Sequence, residues 1–156
     1  MFHWRSRVEK TLEKKATPAF QALFFEMSEI LKPYGYTIDK KSGDERILAK
    51  DHPFYEYRYI NVRAGRTVAL TASLNGSVSI DVKSSHESFS VDDFLKLHFG
   101  IKESPGTGFL LSDAQRYYAE KLAMFGRCLG VQEFREVIEG KIWKAWVCDM
   151  DWGDYK

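Results

Sequence analysis

Residues 103–108, with the sequence Glu-Ser-Pro-Gly-Thr-Gly, come nearest in this chain to a phosphate-binding loop. Glycine-rich turns bind phosphate through converging backbone N–H groups, but the P-loop pattern also requires a lysine and a hydroxyl residue after its last glycine. Here Glu103 takes the place of the first glycine, Phe109 that of the lysine and Leu110 that of the hydroxyl residue. The sequence therefore predicts a plain turn before a helix and no nucleotide site.

Side chains that could bind a metal or exchange protons are scattered along the chain. The four histidines are never three or four residues apart, and neither His-Glu-x-x-His nor Cys-x-x-Cys occurs. Ser84 precedes His86, but no Gly-x-Ser-x-Gly elbow surrounds it. Asp92 and Asp93 would point about 100° apart on a helix, which suits the helix dipole better than a shared proton. We therefore expect no catalytic residue, no metal and no cofactor, and predict that the protein is not an enzyme.

Charge and composition argue against several classes of protein. Lys and Arg number 23 and Asp and Glu 22, so the net charge of +1 creates no field that favours nucleic acid or a membrane surface. No apolar run approaches the ~18 residues of a membrane span, and residues 1–7 are not followed by the apolar stretch of a signal peptide. Cys128 and Cys148 are predicted to be free thiols. We expect a single cytoplasmic domain that spans residues 1–156.

The chain is rich in aromatic residues, which make up 15% of it, and three of them are candidates for a binding surface. Tyr55, Tyr57 and Tyr59 alternate along one predicted strand and so share one face of it. Tyrosine joins a rigid ring to a polar tip and is enriched in protein interfaces. One alternative is that an amphipathic helix covers this face. Another is that the rings stack on single-stranded nucleic acid, which the neutral charge disfavours.

The C-terminal residues are a second candidate for a binding surface. Aspartates and aromatic residues are interleaved there: Asp149, Asp151, Trp152, Asp154 and Tyr155. Such an acidic and aromatic string suits a basic partner, with Trp152 as the predicted anchor. The alternatives are a poorly ordered terminus, or docking against the chain's own basic first fifteen residues.

Hydrophobic periodicity predicts the elements that must position these residues. Helical spacing is found in residues 5–15 and again from Pro18 to the break at Pro33 and Gly35. An alternating pattern then predicts four or five antiparallel strands, with a hairpin turn at Asn75-Gly76. Their predicted segments are residues 34–38, 45–49, 54–62, 67–74 and 77–83.

The last third of the chain returns to helical spacing. Ser90 and Ser112 are predicted helix caps, and a further short helix is expected to end near Gly140. Residues 142–147 fit both the helical and the strand period. The order of helices, meander and helices predicts an α+β fold in which helices pack on one face of the sheet.

In length, fold class and lack of catalytic motifs, the chain resembles small single-domain immunity proteins that neutralise toxins. The resemblance is one of class and is carried by no motif. It implies a non-catalytic cytoplasmic protein that binds a toxin domain and occludes its active site. Its anchors would be Trp152 or the face of Tyr55, Tyr57 and Tyr59, with the C-terminal aspartates steering the encounter.

Two other functions stay open. A small enzyme or ligand-binding domain would place its pocket between the sheet and the helices, with His86 or His98 as the first acid–base candidates. A deep pocket around one of these histidines would favour that function, whereas an exposed aromatic patch would favour protein binding. Single-stranded nucleic-acid binding is the third hypothesis, and the neutral charge makes it the least favoured.

Overall fold

A six-stranded antiparallel sheet organises the structure, a computed structural model that describes residues 20–39, 44–48, 52–73, 77–101 and 111–148. Two short strands follow one another along the same edge of the third strand, so six strands occupy five positions. The predicted helix over residues 5–15 and the turn at Asn75-Gly76 lie outside the described residues. The strands are β1 (Thr37–Ile38), β2 (Asp44–Leu48), β3 (His52–Asn61), β4 (Arg66–Ser73), β5 (Val78–Lys83) and β6 (Ser88–Ser90).

Helices come before and after the sheet in the chain. The first, α1, is helical from residue 20 to residue 31 in the described part, and a 3-10 turn over Lys32–Tyr34 ends it at Gly35. Ser90 caps the next helix, because its Oγ accepts the backbone N–H of Asp92 at 3.1 Å. The remaining helices are α2 (Val91–Phe99), α3 (Leu111–Leu129) and α4 (Gln132–Ile138).

Strand register places the three tyrosines of β3 on the apolar face of the sheet. They pair across β4 with the apolar row Ala72, Leu70 and Val68, and this row continues through β5 to Phe89 of β6. The opposite face is polar, and there the guanidinium of Arg58 bonds Asp39 at 3.0 Å and Glu56 at 2.5 Å. The alternation of apolar and polar residues therefore fixes which face the helices cover.

Aromatic contacts join the helices to this face. The ring of Phe20 lies 4.6 Å from that of Tyr55, and Phe24 lies 4.4 Å from Tyr57, so α1 covers the tyrosines. Toward β6 on the same face, Phe94 of α2 lies 4.7 Å from Phe134 of α4, whose ring also contacts Phe89 of β6. One apolar cluster connects all these residues. The predicted α+β fold, with helices on one sheet face, is confirmed.

The structure differs from the sequence-based expectations at three places, one of which, residues 142–147, was left open between helix and strand. Strand β6 was not expected, because its three residues are too few for a period to be recognised. Ser112, the predicted cap, is itself a helical residue of α3 in the described part of the chain. Residues 142–148 are neither helix nor strand, because their main-chain and ring contacts are with other segments of the fold.

A buried ion pair ties α3 to α2. The Lys121 side chain is almost completely buried, and its ammonium group bonds the carboxylate of Asp92. Asp92 and Asp93 both lie in the first turn of α2, as the helix-dipole prediction placed them. The charge of Lys121 is therefore compensated inside the helical layer, where an unpaired cation would be strongly destabilising.

The hydroxyl of Tyr59 provides a test of how α1 is held on the sheet. It donates to the carbonyl of Phe24 at 2.8 Å, whereas the Tyr57 hydroxyl makes no hydrogen bond within the described part of the chain. We expect Tyr59→Phe to lower the free energy of unfolding by about 1 kcal/mol, since it removes a sheltered hydrogen bond between the sheet and α1. Urea denaturation of this variant beside Tyr57→Phe, which should change stability by less than about 0.5 kcal/mol, is the measurement. Equal effects of the two substitutions would refute this role of the hydroxyl.

Candidate functional site: a cleft at the end of the sheet

The tyrosine face is not displayed to a partner. Tyr59 is 1% exposed, and Tyr55 and Tyr57 are partly buried beneath Phe20 and Phe24. Burial raises the pKa of Tyr59 far above its usual range. The expectation that these rings form an open contact surface is therefore wrong, and the alternative of a covering helix holds. The apolar side of the amphipathic helix α1 packs against this face, and the tyrosine rings provide the apolar surface that it contacts.

The other predicted contacts belong to the C-terminal residues. Asp149, Asp151, Trp152 and Asp154 all lie outside the described residues, so their role stays a prediction. The free thiols lie earlier, with Cys128 buried and Cys148 partly exposed. Burial raises the pKa of the Cys128 thiol to about 12, so this group is protonated at neutral pH and unsuited to nucleophilic chemistry.

The residues proposed for a catalytic alternative do not meet in a pocket. His86 is exposed, and His98 is exposed and stacks on Phe94 at a ring distance of 5.1 Å. The Ser84 hydroxyl is engaged in its own turn, where it accepts the N–H groups of His86 and Glu87. Within the described ranges, no three His, Cys, Asp or Glu side chains converge as metal ligands. None of the helices described there has the length and apolar character needed to cross a bilayer.

A cleft of about 730 Å³ lies where three segments meet at one end of the sheet. The segments are the 3-10 turn after α1, the β3–β4 turn and the loop that follows α4. We call this cavity between the three segments the sheet-end cleft. Its lining residues are Pro33, Tyr34, Gly35, Asn61, Arg63, Ala64, Glu139, Gly140 and Lys141.

Asn61 holds two walls of the sheet-end cleft together. Its Nδ2 donates to the carbonyl of Tyr34 at 2.8 Å, and its Oδ1 accepts the N–H of Ala64 at 3.0 Å. The side chain is 8% exposed, so both bonds are sheltered from water. A Cβ on Gly35 would lie 3.1 Å from Asn61 Nδ2, and the φ of Gly35 is +90°, so glycine is favoured at this position on two grounds.

The third wall is fixed by the end of α4. A helix leaves its last carbonyls without partners inside the helix. Here the next turn of backbone satisfies Arg135, Glu136 and Val137, because the N–H groups of Glu139, Lys141 and Gly140 donate to their carbonyls. Other elements supply further donors: Tyr36 Oη bonds the carbonyl of Ile138 at 2.6 Å, and Arg66 Nε adds a second bond to that of Val137 at 3.0 Å.

Arg66 reaches beyond α4 to the segment that follows it. Its Nη2 donates to the carbonyl of Ile142 at 2.7 Å, and its Nη1 lies 3.3 Å from the carbonyls of Ala64 and Gly65. The guanidinium also lies 4.9 Å from the ring centre of Trp143. One cation thus joins the β3–β4 turn, the end of α4 and the chain that follows, and its charge suits the negative end of the helix dipole.

Charged and apolar side chains surround this framework. Arg63 and Lys141 bring positive charge to the sheet-end cleft, and Glu139 brings negative charge, 3.7 Å from the Lys141 ammonium. Val62, next to Arg63 in the turn, is 88% exposed. Ile142, whose carbonyl Arg66 binds, is 36% exposed. The arrangement is a rigid polar cleft with apolar side chains at its margin.

No sequence pattern predicted this site. Residues 63–66 fall at the junction of the predicted strands 54–62 and 67–74, and neither Asn61 nor Lys141 belongs to a recognisable motif. The cleft unites residues from positions 33 to 141, and no short-range pattern links them. The available signal was the set of glycines at Gly35, Gly65 and Gly140, which all have positive φ and mark the turns that meet at this end.

Comparison of this chain with protein-family models, with curated proteins and with solved structures finds no match.

The close approach of Gly140 to the β3–β4 turn provides a test of the cleft framework. A Cβ on Gly140 would lie 2.6 Å from that of Ala64, whereas one on Gly65 would meet nothing within 4 Å. Both glycines have positive φ, so alanine at either position would be held in the left-handed conformation, which is unfavourable for a residue with a Cβ. We expect Gly65→Ala to lower the free energy of unfolding by about 1 kcal/mol, and Gly140→Ala by about 3 kcal/mol, since it adds a clash.

Thermal and urea denaturation of both glycine variants is the measurement. The difference between them isolates the contact of Gly140 with Ala64, because the backbone strain is common to both. Equal losses would show that the end of α4 does not press against the turn.

Proposed function

We propose that this protein is a non-catalytic domain that binds another protein through the sheet-end cleft and the β3–β4 turn beside it. The narrower proposal is that it acts like an immunity protein and neutralises a toxin domain by covering its active site. The observation that carries the proposal is the pairing of an almost fully exposed Val62 with a cleft whose walls are fixed by tertiary hydrogen bonds.

Rigidity of the cleft favours recognition over chemistry. Asn61 and Arg66 together hold the backbone on three sides, so a partner meets a surface that is formed in advance. A preformed interface costs less ordering entropy on binding, and most protein interfaces of this kind change little in backbone conformation.

The distribution of polar and apolar groups also fits a protein partner. Binding sites for small molecules are lined mainly by apolar and aromatic side chains. The sheet-end cleft is lined mostly by polar residues and glycine, with the apolar Val62 outside it. A surface with an apolar contact beside a polar, partly hydrated region is typical of interfaces between proteins.

The cleft offers little for acid–base or nucleophilic catalysis. Histidine, cysteine and serine do not occur among its described lining residues, and the carboxylate of Glu139 has the Lys141 ammonium as its neighbour. The alternative of a small enzyme with His86 or His98 in a pocket gains no support, because both lie exposed away from the cleft. These observations support the non-catalytic proposal.

Affinity capture from a lysate of the source cells tests the proposed surface. Val62→Asp places a charge at the centre of the expected contact, and Leu97→Asp is the matched control, since Leu97 is 52% exposed on α2. We expect the immobilised wild type and Leu97→Asp to retain the same specific protein, and Val62→Asp to retain at least about tenfold less of it. If that protein is a toxin, its activity should be lost in the complex.

Two results would contradict the proposal. One is that the wild-type protein retains no specific partner. The other is that the Val62 and Leu97 variants retain the partner equally, which would place the contact elsewhere on the molecule.

A further inference from the structure

We propose that the sheet-end cleft receives an acidic side chain of the protein partner, held chiefly by Arg63, with an aliphatic neighbour of that side chain resting on Val62. The inference rests on the proposed function and adds the chemistry of the residue that the cleft recognises.

The polar groups that remain for a partner in this cleft are mainly donors. The carbonyl of Tyr34 already accepts from Asn61, and those of Ala64 and Gly65 already face Arg66. Across the residues that the structure covers, neither the guanidinium of Arg63 nor the hydroxyl of Tyr34 has a hydrogen-bond or ion-pair partner. A ligand that brings acceptors can therefore engage both of these donor groups.

Charge in the cleft favours an anionic acceptor. Two cationic side chains, Arg63 and Lys141, stand against the single carboxylate of Glu139. Glu139 lies beside Lys141 at 3.7 Å, so among the described lining residues Arg63 is the cation without a neighbouring carboxylate. A guanidinium binds a carboxylate with two parallel hydrogen bonds, which gives direction as well as attraction. Arg63 is thus the primary contact and Lys141 the secondary one.

Chain order sets what lies next to the acidic side chain. Val62 and Arg63 are consecutive in one tight turn, closed by the bonds of the Gly65 N–H to the carbonyls of Asn61 and Val62. When a carboxylate of the partner binds Arg63, the residues next to that carboxylate in the partner are therefore placed against Val62. An acidic residue beside a leucine, isoleucine or valine satisfies both contacts. A nucleic-acid phosphate would leave Val62 exposed and would meet a chain of nearly neutral charge.

A pair of matched peptides tests this chemistry. The probe is acetyl-Gly-Leu-Glu-Leu-Gly-amide, and the control replaces its Glu with Gln. Each is titrated to 10 mM, about the concentration needed to see millimolar affinity, into ¹⁵N-labelled full-length protein while backbone amide shifts are recorded. The amides of Gly35, Gly65 and Gly140 report on the three walls of the cleft.

We expect the Glu peptide to shift these three amides and to bind at least about tenfold more tightly than the Gln peptide. Arg63→Gln should abolish this preference. Arg127→Gln is the control, because Arg127 is exposed on α3 and lies over the ring of Phe99. Raising the salt concentration should weaken binding of the Glu peptide and leave binding of the Gln peptide unchanged.

Equal binding of the two peptides, an absence of shifts at the cleft, or an unchanged preference in Arg63→Gln would overturn the inference. The captured partner then separates the two proposals. If Val62→Asp loses that partner and Arg63→Gln keeps it, the proposed binding surface is supported and the proposed contact of Arg63 with an acidic side chain is refuted. If Val62→Asp also keeps it, the proposed function fails.

Discussion

The end of α4 carries carbonyl groups that must be paired, and the geometry of the sheet-end cleft depends on how they are paired. The loop after the helix reaches three of them, those of Arg135, Glu136 and Val137. The carbonyls of Val137 and Ile138 take additional donors from the sheet, from Arg66 and Tyr36. Both bonds tie the helical layer to the ends of strands β4 and β1, and the bond from Tyr36 also avoids the cost of about 1–3 kcal/mol of a buried, unpaired carbonyl at Ile138.

The sheet-end cleft is a consequence of that tie. With α4 fixed, Gly140 lies against Ala64, and Asn61 in turn fixes the β3–β4 turn to the backbone of Tyr34. The side chains that remain free to meet a partner are therefore those that the framework does not use. Arg66 makes hydrogen bonds to the backbone of α4 and of Ile142, whereas the guanidinium of Arg63 has no hydrogen-bond or ion-pair partner among the described residues. Of these two neighbouring arginines, Arg63 is therefore the one that we propose for recognition.

Much of the fold could be predicted from local sequence patterns. Alternation along residues 54–62 correctly put the three tyrosines on one face, and helical spacing correctly predicted α1 and its end at Pro33 and Gly35. The pattern could not decide between a displayed and a covered tyrosine face, since both need rings on one side of a strand. The covering residues, Phe20 and Phe24, lie about thirty-five positions earlier in the chain.

The candidate site could not be predicted in the same way. Asn61 and Arg66 look like ordinary turn-flanking residues until their partners at Tyr34, Val137 and Ile142 are known. Residues 142–147 fit both periods but form neither element. Contacts with Arg66 and with the rings around Trp146 hold this segment in place instead. Long-range hydrogen bonds of this kind leave no periodic trace in a sequence.

The most direct measurement of this account is amide hydrogen exchange at Glu139, Gly140 and Lys141 in Arg66→Gln, compared with Arg127→Gln. A hydrogen bond from a charged donor contributes about 1.5–3 kcal/mol, so the account predicts exchange at least about tenfold faster at these three amides in the Arg66 variant. The Arg127 variant should match the wild-type protein. Equal protection in the two variants would contradict the claim that Arg66 holds the end of α4 and, with it, the cleft.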